Sequence, residues 1–185
     1  MELRAADGTT LLETRFRFSE PLSEGAFLAF AAQYPQMHVE RDGDTVVMTP
    51  PQGNLTELLN AELVRLVGNW NAELQEPGGV FGSSTLFGPP DRQFGPDCAW
   101  ASAGRLAQMK AAGQTFSELV PEIIFELRSP TDAWSATTAK CRLWQTLGAR
   151  SALGIDPIDH RTDLAGEPLP EALLSIARKI AGIDS

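Results

Sequence analysis

Residues 121–148, PEIIFELRSPTDAWSATTAKCRLWQTLG, predict a buried strand, a turn and a helix in immediate succession. The run Ile123–Leu127 is mostly β-branched or aromatic, which is typical of a core strand, and residues 129–132 favour a turn. Glu126 lies inside this apolar run. Burying an unpaired neutral polar group costs roughly 2–7 kcal/mol, and burying a charge costs more. We therefore expect a cation or hydrogen-bond donors to meet Glu126.

The helix that follows supplies one candidate partner for this carboxylate. It is predicted to start after Asp132 as N-cap and to end before Gly148 at position C′. Its apolar positions recur at helical spacing and are Ala136, Leu143, Trp144 and Leu147. Lys140 lies on the same stripe. The lysine either meets Glu126 or packs its methylenes while its ammonium reaches water, and the sequence leaves both readings open.

Length and composition favour a single domain with a core of its own. The chain has 185 residues, of which 43% are hydrophobic. No apolar run approaches the roughly 18 residues of a membrane span, and the opening MELRAADGTT lacks the apolar stretch of a signal peptide. Cys98 and Cys141 are too few for a disulfide framework or a zinc site. We therefore expect a cytoplasmic protein with no membrane partner.

The formal net charge of −9 argues against non-specific nucleic-acid binding through bulk charge, which draws on clustered Lys and Arg. It leaves room for a local basic groove. The sequence contains no Gly-rich phosphate loop, no HExxH or GxSxG motif and no cysteine pair at zinc spacing. His38 and His160 fall near a hairpin and in a loop, where we expect surface roles.

The rest of the chain reads as alternating helices and strands. The expected elements are an N-terminal arm or poor strand around Leu11, Leu12, Phe16 and Phe18, a helix over 23–33 opened by Ser23, a hairpin over 37–49 turning at Asp42 and Gly43, a helix over 54–76, short strands within 80–101, a helix over 102–112, a strand over 151–155 and a helix over 168–182. The helix over 54–76 is expected to bury one stripe, Leu55, Leu58, Leu59, Leu63, Leu66, Trp70 and Leu74. Glu62 lies at the edge of that stripe, where contact with water is the expected reading.

A second acidic residue opens another predicted core strand. Asp97 follows Gly95 and Pro96 and leads into an apolar run, although an Asp in this position is more often a turn residue. If Asp97 and Glu126 meet, a divalent cation would keep both ionised, whereas without one they would repel. Both carboxylates and a backbone carbonyl such as that of Leu127 suit Mg²⁺ or Mn²⁺. The chemistry implied is phosphodiester hydrolysis, with a lysine stabilising developing charge.

With these residues in place, the sequence resembles the Uma2 family of restriction-type endonucleases in the PD-(D/E)xK nuclease superfamily. The resemblance extends from about residue 40 to residue 157. It is carried by DGDTVVMTPP at 42–51, GNLTELLNAEL at 53–63, FGSSTLF at 81–87, GPDCAW at 95–100, PEIIFELRSPTD at 121–132, Lys140, Gly148 and IDP at 155–157. The order and spacing of these fragments are more specific than any one fragment.

The resemblance implies a restriction-endonuclease-like core, in which helices flank a central mixed β-sheet. It implies a single domain, 1–185, with an N-terminal arm and helix (1–36), a nuclease-like core (37–157) and a C-terminal loop and helix (158–185). It further implies Asp97 and Glu126 as metal ligands, with the catalytic lysine moved onto the helix as Lys140. Arg128 stands two residues after the glutamate, where the superfamily places its lysine, and would share or replace that role.

Two departures from the family pattern concern the end of the chain. The usual Trp-Leu-Ile-Asp-Pro strand is ALGIDP here, without the tryptophan, and the residues after 157 leave little room for a further hairpin. Three functions stay open: an Mg²⁺-dependent DNA endonuclease, a nuclease fold that binds or oligomerises without cutting, and a phosphodiesterase for a small substrate. A homodimer is expected for the first, because two sites cut two strands.

Overall fold

The computed structural model describes residues 13–183 and has the predicted mixed α/β character. Within this range the chain forms nine strands and five helices. In chain order they are β1 (Thr14–Arg17), α1 (Glu24–Ala31), β2 (His38–Asp42), β3 (Thr45–Thr49), α2 (Asn54–Ala72), β4 (Gly79–Gly82), β5 (Arg92–Gln93), β6 (Cys98–Ala101), α3 (Ala103–Ala112), β7 (Ile123–Leu127), α4 (Trp134–Thr146), β8 (Ser151–Asp156), β9 (Arg161–Gly166) and α5 (Glu171–Ala181). None of these helices has the length and apolar character that a membrane crossing requires.

The chain divides into two compact units, of which the first takes the described residues up to Pro51 together with Pro90–Phe94. Its four strands form an antiparallel sheet in the order β1-β3-β2-β5. The predicted hairpin is confirmed, since β2 pairs with β3 and Gly43 turns with φ +62°. Buried Arg41 donates to the Gln93 side chain and lies over the ring of Phe27.

The start of the first unit fits the predicted arm and helix in part. Ser23 caps α1 as expected, because its hydroxyl accepts a hydrogen bond from the amide of Ala26. Phe16 lies in β1, opposite Val46 of β3, so this part of the arm is a strand. Leu11 and Leu12, also expected in the arm, lie outside the described residues.

The second unit, Gln52–Pro89 and residues 95–183, contains a five-stranded mixed sheet in the order β4-β6-β7-β8-β9. Strands β7 and β8 are parallel and the other neighbours are antiparallel. Strands β6, β7 and β8 are buried along their whole length. Alternate residues Ile123, Phe125 and Leu127 join the apolar cluster formed with α2 and α5. The other face of β7 therefore turns towards α4, which contacts β7, β8 and β9.

The predicted buried stripe of α2 is correct only beyond its first turns. Leu59, Leu63 and the later apolar residues pack in or against the cluster. Leu55 and Leu58, however, are 76% and 66% exposed, whereas Thr56 and Asn60 are 5% and 4% exposed. The physical reason is that the apolar cluster meets α2 only from Leu59 onward, so the first turns have no apolar surface to cover.

Helix α4 differs from the prediction at its first turn. Its N-cap is Ala133 and not Asp132, whose carboxylate accepts hydrogen bonds from the amide and hydroxyl of Ser129 in the preceding turn. Ala136 is exposed, and buried Thr137 takes the inward position. The expected end is confirmed, since Gly148 follows the C-cap residue with φ +106°.

The segment after residue 157 was expected to be a loop followed by a helix, with little room for a hairpin, and this is wrong. Strand β9 pairs antiparallel with every residue of β8. Because β9 is an edge strand with several exposed positions and Leu164 as its one large apolar residue, its sequence has little strand character. The final helix is confirmed as α5, which ends at Gly182 with φ +68°.

Candidate active site

The register of β6 and β7 sets the two predicted carboxylates on one face of the sheet. Cys98 lies opposite Phe125, so the same antiparallel register, continued by one residue, sets Asp97 opposite Glu126. Directly opposite residues of an antiparallel pair have their side chains on the same face. This face is the one covered by α4, because Glu126 contacts α4 side chains.

Asp97, the residue immediately before β6, is held by two hydrogen bonds. Its side chain is nearly buried, with the residue 8% exposed. Oδ2 accepts from the backbone amide of Leu127 at 2.7 Å, and Oδ1 accepts from Gln52 Nε2 at 3.2 Å. The first bond ties the carboxylate to the residue next to Glu126. The second ties it to the segment just before α2.

Buried Glu126 has both a hydrogen-bond donor and a cation as partners. The residue is 4% exposed. Oε1 accepts a hydrogen bond from the indole Nε1 of Trp144 at 2.5 Å, and Oε2 lies 3.4 Å from the ammonium of Lys140. A buried carboxylate with a donor on one oxygen and a cation on the other has much of its desolvation cost offset.

Lys140 links the two carboxylate positions. Its Nζ donates to the carbonyl oxygen of Gly95 at 2.8 Å, two residues before Asp97, while remaining in the ion pair with Glu126. The Lys140 side chain as a whole is 30% exposed and therefore partly buried. Of the two interpretations that the sequence leaves open for Lys140, the structure fits the ion pair with Glu126.

Neither cysteine adds a thiolate ligand, since Cys98 lies in the apolar cluster on the other face of the sheet and Cys141 is a buried thiol on α4. Burial raises the pKa of the Cys98 thiol, and the charge of Asp97 raises it further. Burial raises the pKa of Cys141 in the same way, with Glu126 as the next cause. Both thiols stay protonated at neutral pH, whereas metal binding and nucleophilic attack use the thiolate. The donors of the site are therefore oxygens.

Arg128 contacts aspartates outside the group of Asp97, Glu126 and Lys140. Its guanidinium donates to Asp156 and Asp159, both at 2.8 Å, and to the backbone oxygen of Asp132. Its role in catalysis stays a prediction, as does the metal-ligand role of the Leu127 carbonyl. Glu62 pairs with Arg65 and Lys179 on the surface, which matches its expected contact with water.

The oxygen set fits a small hard cation that keeps much of its water. Within residues 13–183 no three His, Cys, Asp or Glu side chains are grouped so that they could hold a metal, so the chain offers two carboxylates. Mg²⁺ in particular is often held by one or two carboxylates plus waters. Asp97 and Glu126 are the residues that would hold it.

Three further contacts of the site were not expected from the sequence. Trp144 was placed on the buried stripe, and the need of a buried indole N–H for an acceptor was the clue that could have linked it to Glu126. Gln52 lies in Pro-Pro-Gln-Gly, which reads only as a break before a helix. The Gly95 carbonyl, being backbone, leaves no trace in the sequence.

Comparison with known proteins gives a family match and similar solved structures. The family model Uma2, described as "Putative restriction endonuclease", matches residues 26–171. A crystal structure titled as a putative nuclease belonging to DUF820 from Anabaena variabilis is similar, with a TM-score of 0.63 and 17% sequence identity. The similarity covers 87% of this chain and 97% of that one. No curated protein sequence matches the chain significantly.

Proposed function

The chain belongs to the Uma2 family, and on that premise we propose that it is a metal-dependent endonuclease that hydrolyses DNA phosphodiester bonds. In this proposal Asp97 and Glu126 hold Mg²⁺ or Mn²⁺, and Lys140 assists the attacking water. The observation that carries it is that Lys140 pairs with Glu126 and donates to the carbonyl of Gly95, two residues before Asp97, while Asp97 accepts from the amide next to Glu126.

The proposed reaction is the attack of a water oxygen on phosphorus, with loss of a proton and cleavage of one P–O ester bond. A bound divalent cation supplies Lewis acidity and lowers the pKa of water. Lys140 places a positive charge where a phosphoryl oxygen gains negative charge, in a site partly shielded from water. Trp144 and Leu127 fix the carboxylates, so little reorganisation is needed during the reaction.

A plasmid-nicking assay tests this function. We expect the wild-type protein to convert supercoiled DNA to nicked or linear DNA with Mg²⁺ or Mn²⁺, and to lose this activity in EDTA. Glu126→Gln removes the charge of one proposed ligand, and Lys140→Met removes the ammonium while keeping a flexible chain. Each substitution should lower the rate by about 100-fold or more, the usual effect of removing a preorganised electrostatic contact.

Matched controls are Glu73→Gln and Lys110→Met, two exposed positions outside the site. They should cut like the wild type. Failure of the wild-type protein to cut DNA with either metal would contradict the proposal. Metal binding without cleavage would then favour the non-cutting module. Turnover of only a small phosphodiester would favour the third function.

We also propose that the active form is a cytoplasmic homodimer, because cutting both strands of a duplex is simpler with two sites. The net charge of −9 makes this DNA binding depend on a local arrangement of cations and on the bound metal.

A further inference from the structure

Gln52 has a side chain that is only half satisfied by the contacts of the fold. Its Nε2 donates to Asp97 Oδ1 at 3.2 Å. Its Oε1 is buried and has no hydrogen-bond partner among the described residues. Because Asp97 needs a donor, the amide cannot exchange its nitrogen and oxygen without setting an oxygen against the carboxylate. The unpaired Oε1 therefore belongs to the same amide group whose nitrogen contacts Asp97, a proposed metal ligand.

An orphaned buried acceptor is uncommon in folded proteins and needs an explanation. The described residues contain one other on a side chain, the Oδ1 of Asn60. Thr56 and Asn60, four residues apart on α2, are both buried, so the start of this helix turns polar groups inward while Leu55 and Leu58 face out. Gln52 lies just before this helix. A segment that reverses the usual pattern in this way is more often part of a site than of a core.

We propose that Gln52 Oε1 is a third oxygen of the metal site, acting on the cation directly or through one of its waters. This inference rests on the proposed function and adds a residue to it. An amide oxygen is a hard neutral ligand of the kind that Mg²⁺ and Mn²⁺ accept. It also accounts for a site with only two carboxylates, since no third acidic side chain joins them in the described part of the chain.

Mn²⁺ binding measured by isothermal titration calorimetry tests the inference without relying on activity. Gln52→Met removes both polar atoms at nearly constant size, and we expect Mn²⁺ affinity to fall by roughly tenfold or more, as for other groups that support metal ligands. Gln52→Glu keeps an oxygen and adds a charge but loses the N–H donor. If the oxygen meets the cation, the Glu variant binds Mn²⁺ at least as tightly as the wild type.

The control is Glu73→Gln, at the exposed C-cap of α2 and outside the site, which should leave Mn²⁺ affinity unchanged. Weaker binding in both Gln52 variants would mean that Gln52 only positions Asp97 through its N–H, and the inference would be overturned. Unchanged binding in Gln52→Met, with binding abolished in Asp97→Ala, would overturn it while leaving the proposed function intact. No Mn²⁺ binding by the wild type would overturn both.

Discussion

Glu126 shows how one buried charge organises its surroundings. Its two oxygens meet different partners, an indole N–H from Trp144 and an ammonium from Lys140, and both partners come from α4. The four-residue spacing of Lys140 and Trp144 puts them on one face of that helix. A neutral donor and a cation together offset the cost of burying this carboxylate.

Trp144→Phe tests the contribution of the indole donor. The substitution keeps an aromatic ring in a fully buried position but leaves one oxygen of Glu126 without this hydrogen bond. We expect the free energy of unfolding to fall by about 1.5–3 kcal/mol, the usual value for a hydrogen bond to a charged group. Urea denaturation measures it. Trp70→Phe is the control, since the Trp70 ring packs edge-on against Trp100 at the periphery of the core; an equal loss in both variants would contradict the account.

At the scale of the element, α2 combines two functions along its length. From Leu59 onward it covers the apolar cluster, whereas its first turns carry buried Thr56 and Asn60. Because Leu55 and Leu58 are exposed, the fold lacks the stabilisation of up to about 1.5–3 kcal/mol that burying each side chain would give. The helix is therefore not optimised for stability at the end that lies next to Gln52 and Asp97.

Two leucine substitutions in α2 separate these functions. Leu58→Gln changes a 66% exposed residue to another good helix former, so we expect the free energy of unfolding to stay within about 0.5 kcal/mol of the wild type. Leu63→Ala empties a position that is 0% exposed and should cost about 2–5 kcal/mol. Chemical denaturation of both proteins gives the comparison. A large loss for Leu58→Gln would show that this face is covered in the folded protein.

For the whole molecule, sequence reasoning worked where a local pattern carried the information. The strand around Glu126 and the end of α4 at Gly148 follow from an apolar run and a glycine. The cost of burying a charge predicted that Glu126 has a partner, but it left the ion pair with Lys140 as one of two alternatives. The inward turn of Thr56 and the pairing of β9 depend on what the neighbouring elements offer. The contact between Gln52 and Asp97 joins residues 45 positions apart, so no local pattern could predict it.

The acid stability of the molecule should depend on Asp156, which is fully buried at the end of β8. Burial acts to raise its pKa, but hydrogen bonds from Arg128, Arg161 and two backbone amides outweigh this and lower the pKa from 3.8 to about 2. A carboxyl group with a lowered folded-state pKa stabilises the fold above its unfolded pKa. Its contribution, about 2 kcal/mol, is lost as the pH falls from about 4 to 2.

Asp156→Asn should remove this part of the pH dependence. Urea denaturation between pH 2 and pH 6 should show that the free energy of unfolding of the variant falls less on acidification than that of the wild type. The variant should also be less stable at pH 6, because two arginines lose their charged acceptor. Glu76→Gln, at an exposed position, is the control for the loss of one carboxylate. Parallel pH profiles for the wild type and Asp156→Asn would contradict the assignment.

The central claim is that Asp97 and Glu126 hold one divalent cation beside Lys140. A crystal grown with Mn²⁺ and measured for its anomalous scattering tests it most directly. The account predicts one strong manganese peak at about 2.1 Å from an oxygen of each carboxylate, the distance expected for a small hard cation, and loss of that peak in Glu126→Gln. A peak held by other residues, or none at a saturating Mn²⁺ concentration, would contradict it.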